Sequence, residues 1–160
     1  MVPQDPRTPE GDAATEVVLS TFRANGLFLA AGDLLAAGEG LTSARWQVLG
    51  ALALAGRPLT VPQIARRMGL TRQSVQASVN RLLADALVET AENPDHRRSP
   101  LIRLTDRGSA RYAALQRHQA EWINELAAGM QLSELSTAAR VLRQLGNRLD
   151  TIARGGGREQ

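Results

Sequence analysis

The sequence predicts a mainly α fold that carries one small β-hairpin, and three features of its pattern carry that prediction. Two short amphipathic segments, each opened by a threonine, meet at Gly69. Two short apolar runs, one beginning at Leu87 and the other at Leu101, bracket an arginine-bearing turn. Helical apolar spacing flanks this unit on both sides, with no strand-rich pattern elsewhere in the 160 residues.

Residues 1–12 (MVPQDPRTPEGD) hold three prolines, a glycine and several charges, and read as a flexible N-terminal arm with Arg7 as its only basic side chain. Residues 13–41 read as a dimerisation helix. The helix itself is expected from Ala13 to Ala37, with Val18, Phe22, Leu29 and Leu34 sharing an apolar face and Leu19, Leu27 and Phe28 beside it. Gly26 and Gly32 each cost about 1 kcal/mol against alanine there, which close helix packing or a kink would justify. Gly38-Glu39-Gly40 ends the segment.

Residues 42–108 form the central unit. Thr42 or Ser43 caps a helix running to Ala55 that carries Trp46, Val48, Leu49, Leu52 and Leu54. After the turn at Gly56-Arg57-Pro58, Thr60 caps a helix with Val61 at its first position and Ile64, Ala65 and Met68 on one face. Gly69 supplies a left-handed residue that stops it. Thr71 caps the next helix, whose inner face is Val75, Val79, Leu82 and Leu83. The opposite face carries Arg72, Gln73, Gln76, Ala77 and Asn80. These side chains suit a major groove: arginine pairs with guanine, glutamine and asparagine pair with adenine, and alanine meets a thymine methyl. Two ordinary helices with a solvated outer face would show the same pattern.

The hairpin separates the two readings. Leu87–Glu89 and Leu101–Leu104 read as strands, and the intervening Asn93-Pro94-Asp95 is turn chemistry. Arg97 and Arg98 sit where a projecting loop could enter a minor groove, and Asp95 is placed to hold the Arg97 guanidinium. Thr105 opens the following helix. The whole is a winged helix-turn-helix.

Residues 109–153 read as dimerisation helices. The first extends to about Gly129, with Leu115, Trp122, Leu126 and Met130 on one stripe. Ser133 is expected to cap the last. There Leu135, Ala138, Leu142, Leu145, Leu149 and Ile152 recur at alternating spacings of three and four, the narrow seam of a coiled-coil contact with a partner chain or with the chain's own long helix. Residues 154–160 read as a flexible tail.

The run NPDHRRSPLIRLTDRG resembles the wing signature of the MarR family of transcriptional regulators, a D-x-R followed by L-T-x-x-G, through Asp95, Arg97, Leu104, Thr105 and Gly108. Gln63, Ile64, Ala65, Thr71, Ser74, Val75, Arg81 and Leu82 fit that family's helix-turn-helix, and Trp46, Val48 and Leu49 fit the helix before it. The chain departs from the family in having Ala86 where glycine is usual, Glu89 and Thr90 where a basic residue is common, and Ala77 and Ser78 where larger residues are frequent. A left-handed alanine costs about 1 kcal/mol, so a different turn is expected at Ala86.

The resemblance implies a homodimer, interlocked through its first and last helices, that binds an inverted repeat of double-stranded DNA, most commonly as a repressor. The expected DNA-binding residues are Thr71 and Ser74 in the first turn, Arg72, Gln73 and Gln76 toward base edges, Arg97 in the minor groove with Asp95 orienting it, and Arg98 on the phosphate backbone. It also implies release by a small aromatic acid or phenol bound between the dimerising helices and the reader. Arg23, Phe28, Trp46 and His118 are the expected walls, although each also reads as ordinary core or surface.

Composition bounds the alternatives. The apolar fraction is 43% and aromatics are 3%, so the core is built from Leu, Ala, Val and Ile. All nineteen basic residues are arginine. Nine lie between Arg57 and Arg107 against five acids, a net +4 on the reader, while the whole chain is +3. The absence of cysteine excludes disulfides, thiolate metal sites and cysteine-based oxidant sensing. No apolar run approaches the roughly 20 residues that span a bilayer, and no signal peptide is visible, so the reading is cytoplasmic. An enzyme is not expected, nor is a cofactor or a metal: His96 and His118 are the two histidines, and neither belongs to a metal-ligand motif, a phosphate loop or a nucleophile elbow. The rival class is a winged helix that lost its DNA and binds proteins, a reading that Ala77, Glu89 and Thr90 favour.

Overall fold

The computed structural model describes residues 7–155, in the order α1 (Pro9–Ala37), α2 (Ser43–Ala55), α3 (Val61–Met68), α4 (Arg72–Ala84), β1 (Val88–Ala91), β2 (Leu101–Leu104), α5 (Asp106–Leu126) and α6 (Leu132–Gly155). The chain divides into two compact units after Gln119.

In the first unit, threonines set the helix starts. Thr42, Thr60 and Thr71 all lie in extended backbone, and their hydroxyls accept from the N–H groups of Arg45, Gln63 and Ser74. Such caps satisfy donors that a helix end leaves open. At α3 the cap is reciprocal, because the Gln63 side chain also accepts from the Thr60 N–H at 2.9 Å. At α1 the Thr8 hydroxyl accepts from the Gly11 N–H at 3.1 Å, and the helix starts at Pro9. Residues 9–12 are helical, contrary to the expectation of an arm; of the rest, Arg7 and Thr8 precede the helix and residues 1–6 lie outside the described residues.

Gly69 stops α3 at φ 63° as expected. The helices α1 and α2 approach closely at Gly32, where a Cβ would stand 2.8 Å from Ser43 Oγ. There the Ser43 N–H donates to Asp33 Oδ1 at 2.6 Å. Gly26 has nothing within 4 Å of an added Cβ, so it serves no packing contact in this structure.

The core gathers Val48, Leu49 and Leu52 of α2, Ile64 of α3, Val75, Val79 and Leu82 of α4, Val88 and Ile102 of the hairpin, and Leu115 of α5. Leu83 and Trp46 pack against it partly buried. Leu59, between Pro58 and α3, is fully buried and exchanges both backbone hydrogen bonds with Ile102. This bridge extends the two-stranded antiparallel sheet and ties the hairpin to the entrance of α3.

In the second unit Gly129 turns the chain at φ 81° before α6. The helix begins at Leu132, with the Glu134 carboxylate accepting from the Gln131 N–H at 3.2 Å. Ser133 is thus inside the first turn and is not the cap. The helix continues through Gly155, which carries it past Arg154 into the segment expected as a tail; residues 156–160 lie outside the described residues.

Candidate nucleic-acid interface

The recognition face is built by the inner face of its own helix. Burial of Val75, Val79 and Leu82 fixes the rotation of α4, and helical geometry then turns Arg72, Gln73, Gln76, Ala77 and Asn80 outward. All five are exposed, as are Thr71 and Ser74 in the first turn. Gln76 Nε2 donates to Asn80 Oδ1 at 2.8 Å, which leaves the Gln76 carbonyl oxygen open.

The hairpin is a two-stranded antiparallel blade. Its register pairs Val88 with Leu104 and Ala91 with Leu101; the first strand starts one residue later and ends two residues later than the Leu87–Glu89 that the sequence suggested, and the second is Leu101–Leu104 as expected. At its tip the Asn93 side chain donates to the Ser99 carbonyl at 2.7 Å and accepts from the Asp95 N–H at 3.2 Å. These bonds close the loop and leave Arg97 and Arg98 exposed between His96 and Ser99. Asn93 was expected only as a turn former; its clamp across the loop involves a residue six positions away. The expected pairing of Asp95 with Arg97 is absent. Both side chains are exposed and no ion pair joins them, so the asparagine clamp, and not a carboxylate, shapes the tip.

The base of the blade explains the spacing of Leu104, Thr105 and Gly108. The Thr105 hydroxyl donates to the Ala86 carbonyl at 2.9 Å and accepts from the Gly108 N–H at 3.0 Å. A Cβ on Gly108 would overlap the Leu87 carbonyl oxygen and stand 2.9 Å from its carbon. Only glycine lets α5 start so close to the first strand. The expected change of turn at Ala86 does not occur: it takes φ 54°, the left-handed conformation. The N–H groups of Ala86 and Leu87 return to Leu83 and Leu82, closing the end of α4.

Glu89 and Arg103 face each other across the strands and pair at 2.7 Å. The acid that departs from the family pattern is thereby neutralised within the hairpin. Among the described residues the other eight arginines between Arg57 and Arg107 make no ion pair. An open cleft of about 430 Å³ runs between helix and blade, lined by Arg72, Gln73 and Gln76 on one side and Thr90, Arg98 and Pro100 on the other.

Two arginines that sequence reasoning missed hold this reader together. Arg45 pairs with Asp85 at 3.0 Å and donates to the Gly40 carbonyl at 2.9 Å, joining the loop after α1 to the end of α4. Arg111 binds both the Glu39 carboxylate, at 2.9 Å, and its backbone carbonyl. The partners are 40 and 72 residues apart in sequence, beyond any local spacing rule.

The four expected effector residues lie apart from this cleft. Arg23 and His118 are exposed, Phe28 is 52% exposed and so does not belong to the core, and Trp46 is half-buried against it. Among the described residues no helix is long and apolar enough to cross a membrane, and no group of three His, Asp or Glu side chains is placed to hold a metal.

A sequence model of the MarR family matches residues 39–99, from the loop after α1 to the hairpin tip. The chain is 40% identical over 134 residues to an uncharacterized protein of Mycobacterium tuberculosis, covering 84% of this chain and 92% of that one. Among solved structures it resembles a MarR family transcription regulator with TM-score 0.73 and 25% identity, over 91% of this chain and 95% of the other. It also resembles BpsR of Bordetella bronchiseptica, whose DNA binding is regulated by 6-hydroxynicotinic acid, with TM-score 0.71 and 22% identity over 82% and 98% of the two chains.

Proposed function

The chain belongs to the MarR family of winged helix-turn-helix transcriptional regulators, and on that premise we propose that it is a homodimeric repressor that binds an inverted repeat of double-stranded DNA. The observation that carries this reading is the pairing of an exposed recognition face with unpaired arginines on the blade beside it. Arg72, Gln73 and Gln76 read base edges in the major groove, Thr71 and Ser74 position the helix on phosphate, Arg97 enters the minor groove, and Arg98 contacts the backbone. Asp95 sits exposed at the same tip.

A second copy of the chain is the proposed cover for two apolar surfaces. On α1, Leu19, Phe22, Leu27 and Leu34 are each more than 60% exposed. On α6 the seam of Leu135, Ala138, Leu142, Leu145, Leu149 and Ile152 leaves Leu149 and Ile152 largely in solvent. Surface of this kind marks an interface in a folded protein. Two readers joined in this way meet half-sites one DNA turn apart, roughly 34 Å. The proposed effector is a small aromatic acid or phenol held by Arg23, Phe28, Trp46 and His118. BpsR, alike in fold, supports an effector of that class. A ligand acts here by preferring a reader spacing that mismatches the operator.

The test is a titration of the purified protein with the intergenic DNA beside its own gene, against an unrelated duplex of equal length, at two salt concentrations. Tight, salt-sensitive binding that prefers its own DNA supports the reading. Equal and weak binding to both duplexes refutes it and redirects the search to protein partners.

A further inference from the structure

The cleft between α4 and the blade continues beside the entrance of α3 toward the hairpin tip. A second open cleft of about 570 Å³ adjoins it and shares Pro62 and Ser99 with it. Its walls come from the turn before α3, from α3 itself and from the hairpin tip, and they carry Arg57, Arg66, Gln63 and His96. Among the described residues Asp95 is the one carboxylate in the lining of either cleft. Arg57 and Arg66 are exposed and form no ion pair among the described residues; Arg57 donates only to the neighbouring Pro58 carbonyl at 3.4 Å. Gln63 is held by its own capping bond through Oε1, which leaves its NH2 group as a positioned donor.

We infer that this second cleft is a phosphate-binding track for the DNA backbone, with Arg57 and Arg66 as its contacts and the Gln63 amide and His96 imidazole as further donors beside them. The inference rests on the DNA-binding reading and adds a contact surface to it. Two adjoining clefts lined among the described residues by four arginines and one carboxylate suit a polyanion that runs past the recognition helix and on between α3 and the hairpin tip. These contacts carry no base information, so they set affinity and leave sequence preference unchanged. The chemistry is that of a phosphodiester chain rather than a small anion, because the cationic groups are spread along an open groove and not gathered around one point.

The experiment compares wild type, the double variant Arg57→Gln/Arg66→Gln, and Arg67→Gln. Arg67 is an exposed arginine on the same turn of α3 that lines neither cleft. Each is titrated with the protein's own intergenic duplex and an unrelated duplex across a salt series, after a urea midpoint has shown that the fold is kept. Each lost phosphate contact is expected to make the slope of log K against log salt shallower by about 0.9 per reader. For two contacts the wild-type advantage over the double variant then shrinks about tenfold per reader between about 50 and about 200 mM salt. The preference for its own DNA stays within about twofold. A double variant with the wild-type slope overturns the track while leaving the DNA reading intact. So does a change in Arg67→Gln of about half that of the double variant or more, which would make the effect one of general surface charge. Wild type that binds neither duplex in a salt-dependent way refutes the DNA reading, and the track falls with it.

Discussion

Replacing Gly108 by alanine should destabilise the protein far more than a methyl group at a helix start normally does. The added Cβ would overlap the Leu87 carbonyl oxygen, a backbone atom that cannot swing aside as a side chain would. Relief requires α5 to back away from the first strand. That motion breaks the Thr105 N–H bond to Leu87 and the Thr105 hydroxyl bond to Ala86, 3.2 and 2.9 Å long, each contributing about 1 kcal/mol. Residual overpacking costs about 1–3 kcal/mol more, and the better helix propensity of alanine returns about 1 kcal/mol. The net loss is about 2–4 kcal/mol. With a urea dependence of about 2 kcal/mol per molar, the midpoint should fall by roughly 1–2 M at fixed protein concentration. Gly26→Ala is the matched control: its Cβ meets nothing within 4 Å, so it should gain about 0.5–1 kcal/mol. A Gly108→Ala midpoint at or above wild type would refute the close-approach argument.

Four further outcomes are expected. Arg97→Ala should weaken binding to the protein's own intergenic DNA by about 1–3 kcal/mol at fixed salt, and wild-type affinity in that variant would remove Arg97 from the interface. Ala86→Gly should stabilise by up to about 1 kcal/mol in urea unfolding, because relief of a left-handed alanine outweighs the added freedom of the unfolded chain. A destabilised variant would mean that alanine is unstrained there. Sedimentation should give twice the 17.2 kDa chain mass, and Leu149→Glu with Ile152→Glu should shift it toward the monomer; a monomeric wild type sinks the dimer. Tyr112 is the only tyrosine in a chain without lysine or cysteine, and burial pushes its phenol above the usual value of 10.0. A raised folded pKa means that its stabilising contribution is complete below the unfolded value and is lost as pH rises through the folded one. Unfolding stability should therefore fall above about pH 10 in wild type and fall less in Tyr112→Phe, with the phenolate absorbance reporting the same titration. Equal alkaline loss in both proteins would exclude Tyr112 as its source.

What was legible in the sequence was what short-range chemistry decides. A threonine three residues before a free N–H, a glycine needing positive φ, and apolar residues at helical spacing are local facts, and α2, α3 and α4 follow from them with their caps. The start of α1 escaped because Pro9 and Gly11 resemble a linker, whereas proline at a first helical position behind a capping threonine costs nothing. The turn at Ala86 escaped for the opposite reason. Intrinsic preference argued against it, but the Thr105 hydroxyl and the closing bonds of α4 hold that backbone from outside the segment. The Leu59 bridge, the Asn93 clamp and the Arg45 and Arg111 tethers all join residues whose separation in sequence carries no period.

The same distinction changes how the charge of the reader should be counted. The sequence shows nine arginines against five acids between Arg57 and Arg107, and a net +4 of that size is common on solvated surfaces. The structure removes pairs from that count unequally. Arg103 is spent on Glu89 within the hairpin, while Asp85 is neutralised by Arg45, which lies outside the segment. Among the described residues, eight unpaired arginines then stand against three unpaired carboxylates, Glu92, Asp95 and Asp106. Four of those arginines line the two adjoining clefts with only Asp95 among them, and Arg97 stands at the tip between. The pair with Arg45 of α2 thus leaves the 57–107 segment, at eight arginines against three carboxylates, more positive than that segment's own composition indicates. Breaking the Arg45–Asp85 pair with Arg45→Met would therefore return a free carboxylate to the end of α4, as well as loosening it, and both effects oppose a polyanion.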